Sequence, residues 1–200
     1  MLEVINMAFD YPDKSVLQGV DFVVNQGTLL HLCGANGSGK TTLLKLLAGL
    51  LHPTEGNIRF RGNSISNFLS DYQQQLCYVG HKTGISLLLT VRENCQFELH
   101  HHLNTPPLDE LIPLFSLEGL EDTPCYLLSV GQRRRVGLLR LLMSDAPIWL
   151  LDEPLVALDK ETIISLMQLL DKHLSRGGLV VLSSHQNLPL RHENYQEYLL

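Results

Sequence analysis

Residues 28 to 51 read TLLHLCGANGSGKTTLLKLLAGLL. An apolar run of strand length opens the stretch, leucines at helical spacing close it, and a glycine-rich turn joins them, so it reads as a strand, loop, helix unit. Within it GANGSGKT, Gly34 to Thr41, fits G-x-x-x-x-G-K-[ST] in the required strand-to-helix context. Glycines at 34, 37 and 39 let the backbone curl so that successive N–H groups point inward, and the following helix adds its positive N-terminal end. The loop residues Gly34, Ala35, Asn36, Gly37, Ser38 and Gly39 are therefore candidates to cradle phosphates. Lys40 is expected to reach the β- and γ-phosphates, the Thr41 hydroxyl to ligate Mg²⁺, and Thr42 to add a donor near the α-phosphate. The bland alternative is a glycine-rich turn with an incidental lysine, and the flanking strand and helix argue against it. A nucleoside triphosphate with Mg²⁺ is implied, while kinase, GTPase and mechanical ATPase all stay open.

Two hundred residues suit one domain, or a core with a small lobe, and can bury a sizeable core. With 15 basic and 21 acidic residues, the net charge of −6 argues against a surface built to bind nucleic acid or anionic lipid. Cys33, Cys77, Cys95 and Cys125 show no C-x-x-C pair or zinc spacing and read as reduced packing residues of a cytosolic protein. There is no apolar leader and no run of the roughly 18 apolar residues that spans a bilayer, so the chain is expected to be neither secreted nor integral to a membrane.

Outward from the loop, residues 1–31 read as short strands with turns at Tyr11-Pro12-Asp13 and Asn25-Gln26-Gly27, and LHPTEGNIRFRGNSI as a hairpin region. Residues 95–125, with His100-His101-His102, Pro106-Pro107, Pro113 and Pro124, suggest short helices joined by turns. Three consecutive histidines point in different directions on a helix, so they read as a solvated helix end rather than a metal site. Beyond Leu128 the chain alternates: helix QRRRVGLLRLLMSD, strand IWLLDEP, helix ETIISLMQLLDKHLSR, strand GGLVVLSSH. That alternation implies a parallel sheet. Arg133-Arg134-Arg135 reads as a helix face near phosphate and a partner domain.

The strand Ile148 to Leu151 runs into Asp152-Glu153-Pro154, two carboxylates beside a phosphate loop. Asp152 is expected to hold the Mg²⁺ shell, and Glu153 to orient and polarise the attacking water. LSVGQ, Leu128 to Gln132, opens the next helix upstream, with Ser129 at an N-cap position and Gly131 allowing close approach: a second anion site. Two such devices either bind two phosphates or share one nucleotide between two copies.

GANGSGKTT, LSVGQ, WLLDEP, VALD and SSH, in that order, resemble the nucleotide-binding domain of ATP-binding cassette (ABC) transporters over nearly the whole chain. The resemblance implies an α/β P-loop NTPase with a mixed or parallel sheet core, N-terminal antiparallel strands and a small helical subdomain at about 85–140 within one domain spanning 1–200. It implies an ATPase working as a head-to-tail homodimer, where the Lys40 loop of one copy and Ser129, Gly131 and Gln132 of the other sandwich each ATP. By the same resemblance Lys40, Glu153 and His185 are catalytic, Asp159 lies on the dimer interface, and Tyr11 stacks on adenine, with Phe9 close enough to compete. Integral-membrane permease subunits are the implied partners, with the chain peripheral on the cytoplasmic face of the inner membrane and no role for nucleic acid.

CYVGHKTG, residues 77 to 84, departs from that family, which normally places glutamine where His81 stands as the γ-phosphate sensor. Glutamine offers a hard oxygen suited to Mg²⁺, whereas imidazole prefers softer metals and changes charge within the physiological pH range. Val130 stands where the family commonly has glycine. These variants, SVGQRRRVGLLRL and S-H-Q narrow the resemblance to ATPases of bacterial haem exporters that power cytochrome c maturation. An exporter of another substrate, such as a lipid or drug, stays open. DNA-clamp and ribosomal ABC ATPases and a small-molecule kinase are disfavoured: no heptads appear, there is one cassette, and a kinase leaves LSVGQ unexplained.

Overall fold

The computed structural model describes residues 1–99, 107–185, 188 and 194–200. His100, His101, His102 and Pro106 lie outside the described residues. In chain order the elements begin with β1 (Leu2–Tyr11), β2 (Lys14–Val24), β3 (Leu29–Cys33), α1 (Lys40–Leu47), β4 (Glu55–Phe60), β5 (Asn63–Ser64), α2 (Leu69–Gln73) and β6 (Leu76–Val79). There follow α3 (Val91–Leu99), α4 (Leu108–Leu111), α5 (Val130–Met143), β7 (Ile148–Asp152), α6 (Lys160–Ser175), β8 (Leu179–Ser183) and β9 (Tyr195–Leu199).

Two sheets divide these strands. The first is antiparallel, in the order β2-β1-β4-β5, and the second has the order β6-β7-β8-β3-β9 with every pair parallel. The N-terminal strands are longer than their sequence suggested: β1 and β2 run 10 and 11 residues as one hairpin. Register shifts past Val4, and Asn6 at φ 42°, break the alternation that would have signalled their full length.

The parallel strands are continuous apolar runs because both faces are covered. Ile148 and Leu150 of β7 join Leu179 and Val181 of β8 in one cluster with Leu43, Leu44, Leu46 and Leu47 of α1 and the antiparallel sheet. Trp149, Leu151, Val180 and Leu182 point the other way, into a cluster with Leu138 and Leu139 of α5 and Leu166 and Leu170 of α6. Each fully buried leucine or valine stabilises by about 1.5–3 kcal/mol, so the period-2 alternation of two short strands pins both layers.

Parallel pairing also aligns the carboxyl ends of β3, β6, β7 and β8. Leu32 lies opposite Ser183, Ser183 opposite Asp152, and Leu151 opposite Val79. Loops leaving these ends share one side of the sheet, where open α/β folds bind ligands. Between β6 and β7 the described residues form helices and turns, as the proline spacing suggested. Cys77, Cys95 and Cys125 are buried and all four cysteines are free thiols. Among the described residues no helix is long and apolar enough to cross a membrane. β9 was not foreseen; it adds an edge strand beside β3.

Candidate nucleotide site

The phosphate loop is held from below. Gly34 has φ 142°, and a Cβ there would lie 2.6 Å from the Leu200 carbonyl oxygen and 2.8 Å from Ser38 Oγ, so only glycine fits. Gly39, at φ 102°, packs on Leu17 and delivers the chain into α1. Lys40 is 6% exposed and donates to the carbonyls of Gly34 (2.8 Å) and Ala35 (2.9 Å). An ammonium has three donors, so one remains for a ligand. Ser38 Oγ is buried without a partner, a donor in the loop awaiting an acceptor.

The two carboxylates at the end of β7 sit in different surroundings. Asp152, 1% exposed, accepts from Thr41 Oγ1 and from Ser183 Oγ, each at 2.8 Å. Glu153 turns away at φ 50°, its N–H directed at Ser183 Oγ (3.0 Å) and the Ser183 carbonyl (3.1 Å). Its Oε2 accepts from the His185 backbone N–H at 3.4 Å. Oε1 lies 3.1 Å from His185 Nε2 without making a hydrogen bond to it, so it keeps an open acceptor site.

Arg134 braces the site from behind, a placement that sequence reasoning missed. It is no exposed face: 5% exposed, it donates through Nη2 to the carbonyls of Asp152 (2.7 Å) and Glu153 (2.8 Å). Through Nη1 it reaches Gly80 (2.8 Å) and His81 (3.4 Å). Burial lowers its pKa, and the Asp152 and Glu153 carboxylates oppose that shift. Its neighbours point elsewhere, Arg135 to the Phe115 and Ser116 carbonyls. Helical geometry sends three consecutive side chains in three directions, which a charge run conceals.

One open cavity of about 550 Å³ gathers much of the expected set. Asn36, Gly37, Gly39, Lys40, Thr41 and Thr42 line its floor; Asp152, Glu153, His185 and His81 line its wall. Tyr11 stands at the rim, 42% exposed, with the Phe9 ring edge-on at 4.9 Å. Phe9 itself is buried, which leaves Tyr11 as the accessible aromatic. Lys14 and Val16 of β2 also line this cavity and were not singled out from sequence.

Ser129, Gly131, Gln132 and Asp159 stand apart from it. Ser129 caps α5 in a reciprocal box, Gln132 N–H donating to Ser129 Oγ at 3.2 Å and Ser129 N–H to Gln132 Oε1 at 2.8 Å. A Cβ on Gly131 would meet the Ala157 carbonyl oxygen at 2.6 Å. Asp159 caps α6 by accepting from Thr162 N–H at 2.8 Å, a bond that holds its carboxyl below the usual range. Val130 is exposed, and so is Val156, which itself lines the nucleotide cavity.

The family model described as ABC transporter matches residues 17–156. This chain belongs to the ABC transporter family. A curated ABC relative from Legionella pneumophila (strain Lens), "Cytochrome c biogenesis ATP-binding export protein CcmA", is 53% identical over 200 residues, all of both chains. The protein of that name from Haemophilus influenzae is 40% identical over 194 residues, 96% of this chain and 92% of its own. Among solved ABC structures, the "Dimeric structure of a post-hydrolysis state of the ATP-binding cassette MJ0796 bound to ADP and Pi" superposes with TM-score 0.80 at 26% identity, covering 93% of this chain and 88% of that one. "Structure of ATP binding subunit of ABC transporter" superposes with TM-score 0.83 at 27% identity, covering 92% and 79%. The chain is thus an ATP-binding subunit of ABC-transporter type, with an ABC ATPase domain.

Proposed function

We propose that this chain is the ATP-hydrolysing subunit of a bacterial haem exporter complex that powers cytochrome c maturation. Full-length identity to relatives named for cytochrome c biogenesis and ATP-binding export carries the biological reading. The open Oε1 of Glu153 beside His185 carries the chemical one.

The backbone amides of Gly34 to Gly39, with Lys40, bind the β- and γ-phosphates, and Thr42 assists at the α-phosphate. Tyr11 stacks on adenine. Thr41 Oγ1 and Asp152, hard oxygen donors 2.8 Å apart, suit Mg²⁺. Bound there, Mg²⁺ supplies charge neutralisation at the phosphate oxygens. Glu153 orients and polarises the attacking water, and His185 steadies both that water and the γ-phosphate. His81 faces the same cavity as the γ-phosphate sensor.

Ser129, Gly131, Gln132 and Asp159 act on the nucleotide of a second copy in a head-to-tail homodimer, which accounts for their distance from this chain's own cavity. Residues 1–200 form one ABC domain, with a helical subdomain at about 85–140 set against integral-membrane permease subunits. The chain then sits peripherally on the cytoplasmic face of the inner membrane, and nucleic acid has no part in the cycle.

Deleting the gene tests the biological reading. Loss of c-type cytochromes with b-type cytochromes retained is expected. Normal c-type levels would defeat the haem assignment in favour of another cargo.

A further inference from the structure

Behind the phosphate loop, at the outer edge of the parallel sheet, three side chains of different chemistry converge. His31 and Cys33 project from the same side of β3, two residues apart. Glu197 comes from β9, directly opposite His31 in the register. Among the described residues, His31, Cys33 and Glu197 form one group of potential metal ligands whose donor atoms all lie within 4.8 Å of one another.

The hydrogen bonds of this cluster do not balance. His31 Nε2 is 3.2 Å from the Ser184 carbonyl oxygen, while Nδ1 is 2.7 Å from the Tyr195 hydroxyl, which is also 2.7 Å from Glu197 Oε1. If the imidazole proton is on Nε2, the single phenol proton faces two acceptors, Nδ1 and the carboxylate. If it is on Nδ1, the Nε2 lone pair faces the Ser184 carbonyl. With an ionised carboxylate, either neutral tautomer sets acceptor against acceptor around a ring only 3% exposed, so these atoms have room for one further proton or cation.

A proton on the ring or on the carboxyl, or a metal ion, would fill that room, and the thiol points to the ion. Cys33 Sγ lies 3.5 Å from His31 Nδ1. Bonds of about 2.3 Å to sulfur and about 2.0–2.1 Å to nitrogen, meeting at a tetrahedral angle, place sulfur and nitrogen about 3.5 Å apart. With Nε2–H on the Ser184 carbonyl, Nδ1 presents its lone pair, the outer hydrogen bond that orients metal-bound histidines.

We propose that His31 Nδ1, Cys33 Sγ and the Glu197 carboxylate form a site for a divalent cation of the zinc class. Water or the Tyr195 phenol takes the fourth position. Thiolate and imidazole select such a cation over Mg²⁺, so this site and the Thr41–Asp152 pair would not compete for one metal. On binding, the Cys33 thiol releases its proton to solvent and the phenol leaves Nδ1. The ion would staple β9 to β3, whose last residue directly precedes Gly34.

Co²⁺ titrated into the reduced full chain provides the probe, since thiolate ligation gives it a charge-transfer absorption that Zn²⁺ abolishes by displacement. One Co²⁺ per chain with that absorption is expected. Cys33→Ser should lose the band, and Glu197→Gln, on an exposed edge strand, should weaken Co²⁺ affinity about tenfold or more with an unchanged far-UV spectrum. A chain that binds no Co²⁺ with this band, or a band that survives Cys33→Ser through Cys77, Cys95 or Cys125, overturns the proposal. Should Cys33→Ser not fold, unchanged affinity in Glu197→Gln overturns it instead.

Discussion

The carboxyl ends of the parallel strands and the N-terminus of α5 carry equally recognisable motifs, yet the fold treats them differently. The first region is closed on itself: Lys40 bonds back to its own loop, and Thr41, Asp152, Ser183, Glu153 and His185 are linked through contacts within one chain. The second is open. Ser129 and Asp159 cap their own helices, Asp159 also stands 4.0 Å from Arg135 Nη1, Gly131 lies close under the Ala157 carbonyl, and none of the three lines the nucleotide cavity. In the proposed head-to-tail dimer, a second copy would complete this open motif.

That contrast can be broken at several points. The largest effect is expected from Glu153→Gln, which keeps the shape and one acceptor oxygen but removes the charge proposed to polarise water. ATP hydrolysis should fall at least about 100-fold with nucleotide binding intact, measured by phosphate release and equilibrium binding. Hydrolysis near the wild-type rate would remove Glu153 from the reaction.

Ser129→Arg addresses the open region. In the proposed dimer it sets a cation near the partner's Lys40, and like charges across an interface cost several kcal/mol. ATP binding by the dilute single chain should be unchanged, while ATP-induced dimerisation and hydrolysis drop more than about tenfold. Weakened binding in the single chain would mean that Ser129 serves its own cavity after all.

Asp159→Ala should cost about 1 kcal/mol through the lost N-cap, read as a lower thermal midpoint. Because the folded carboxyl titrates below its ordinary value, its contribution is present above the unfolded pKa and lost as pH falls through the folded one. The variant should therefore lose stability less steeply on acidification below about pH 4. The smallest effect is expected at His81→Gln, an exposed position, with hydrolysis within about twofold of wild type. A pH–rate profile that does not move with that change would deny His81 any titrating role.

What could be read in advance followed chain locality. The phosphate loop needs a strand, three glycines and a helix in contiguous residues, so GANGSGKTT was legible at once; Asp152-Glu153 ended a buried strand and was nearly as plain. Arg134 was not, because its four carbonyl partners lie at and just beyond the carboxyl ends of β6 and β7, and nothing local distinguishes it from Arg133 or Arg135. β9 was missed because an edge strand covered on one side lacks the apolar run of a central one, and its partner β3 lies more than 160 residues away. Ser183 carried a usable signal, a hydroxyl closing an apolar strand, that went unread. The Tyr195, Glu197 and His31 cluster depends on that same distant pairing.

The guanidinium of Arg134 ends in a rigid plane whose two nitrogens each hold a different loop. When something outside pushes on the His81 loop, the carbonyls of Asp152 and Glu153 have to tilt with it or shed charge-assisted bonds. A displacement of the His81 loop would therefore reach the carboxylates of the neighbouring strand within a single side chain's length.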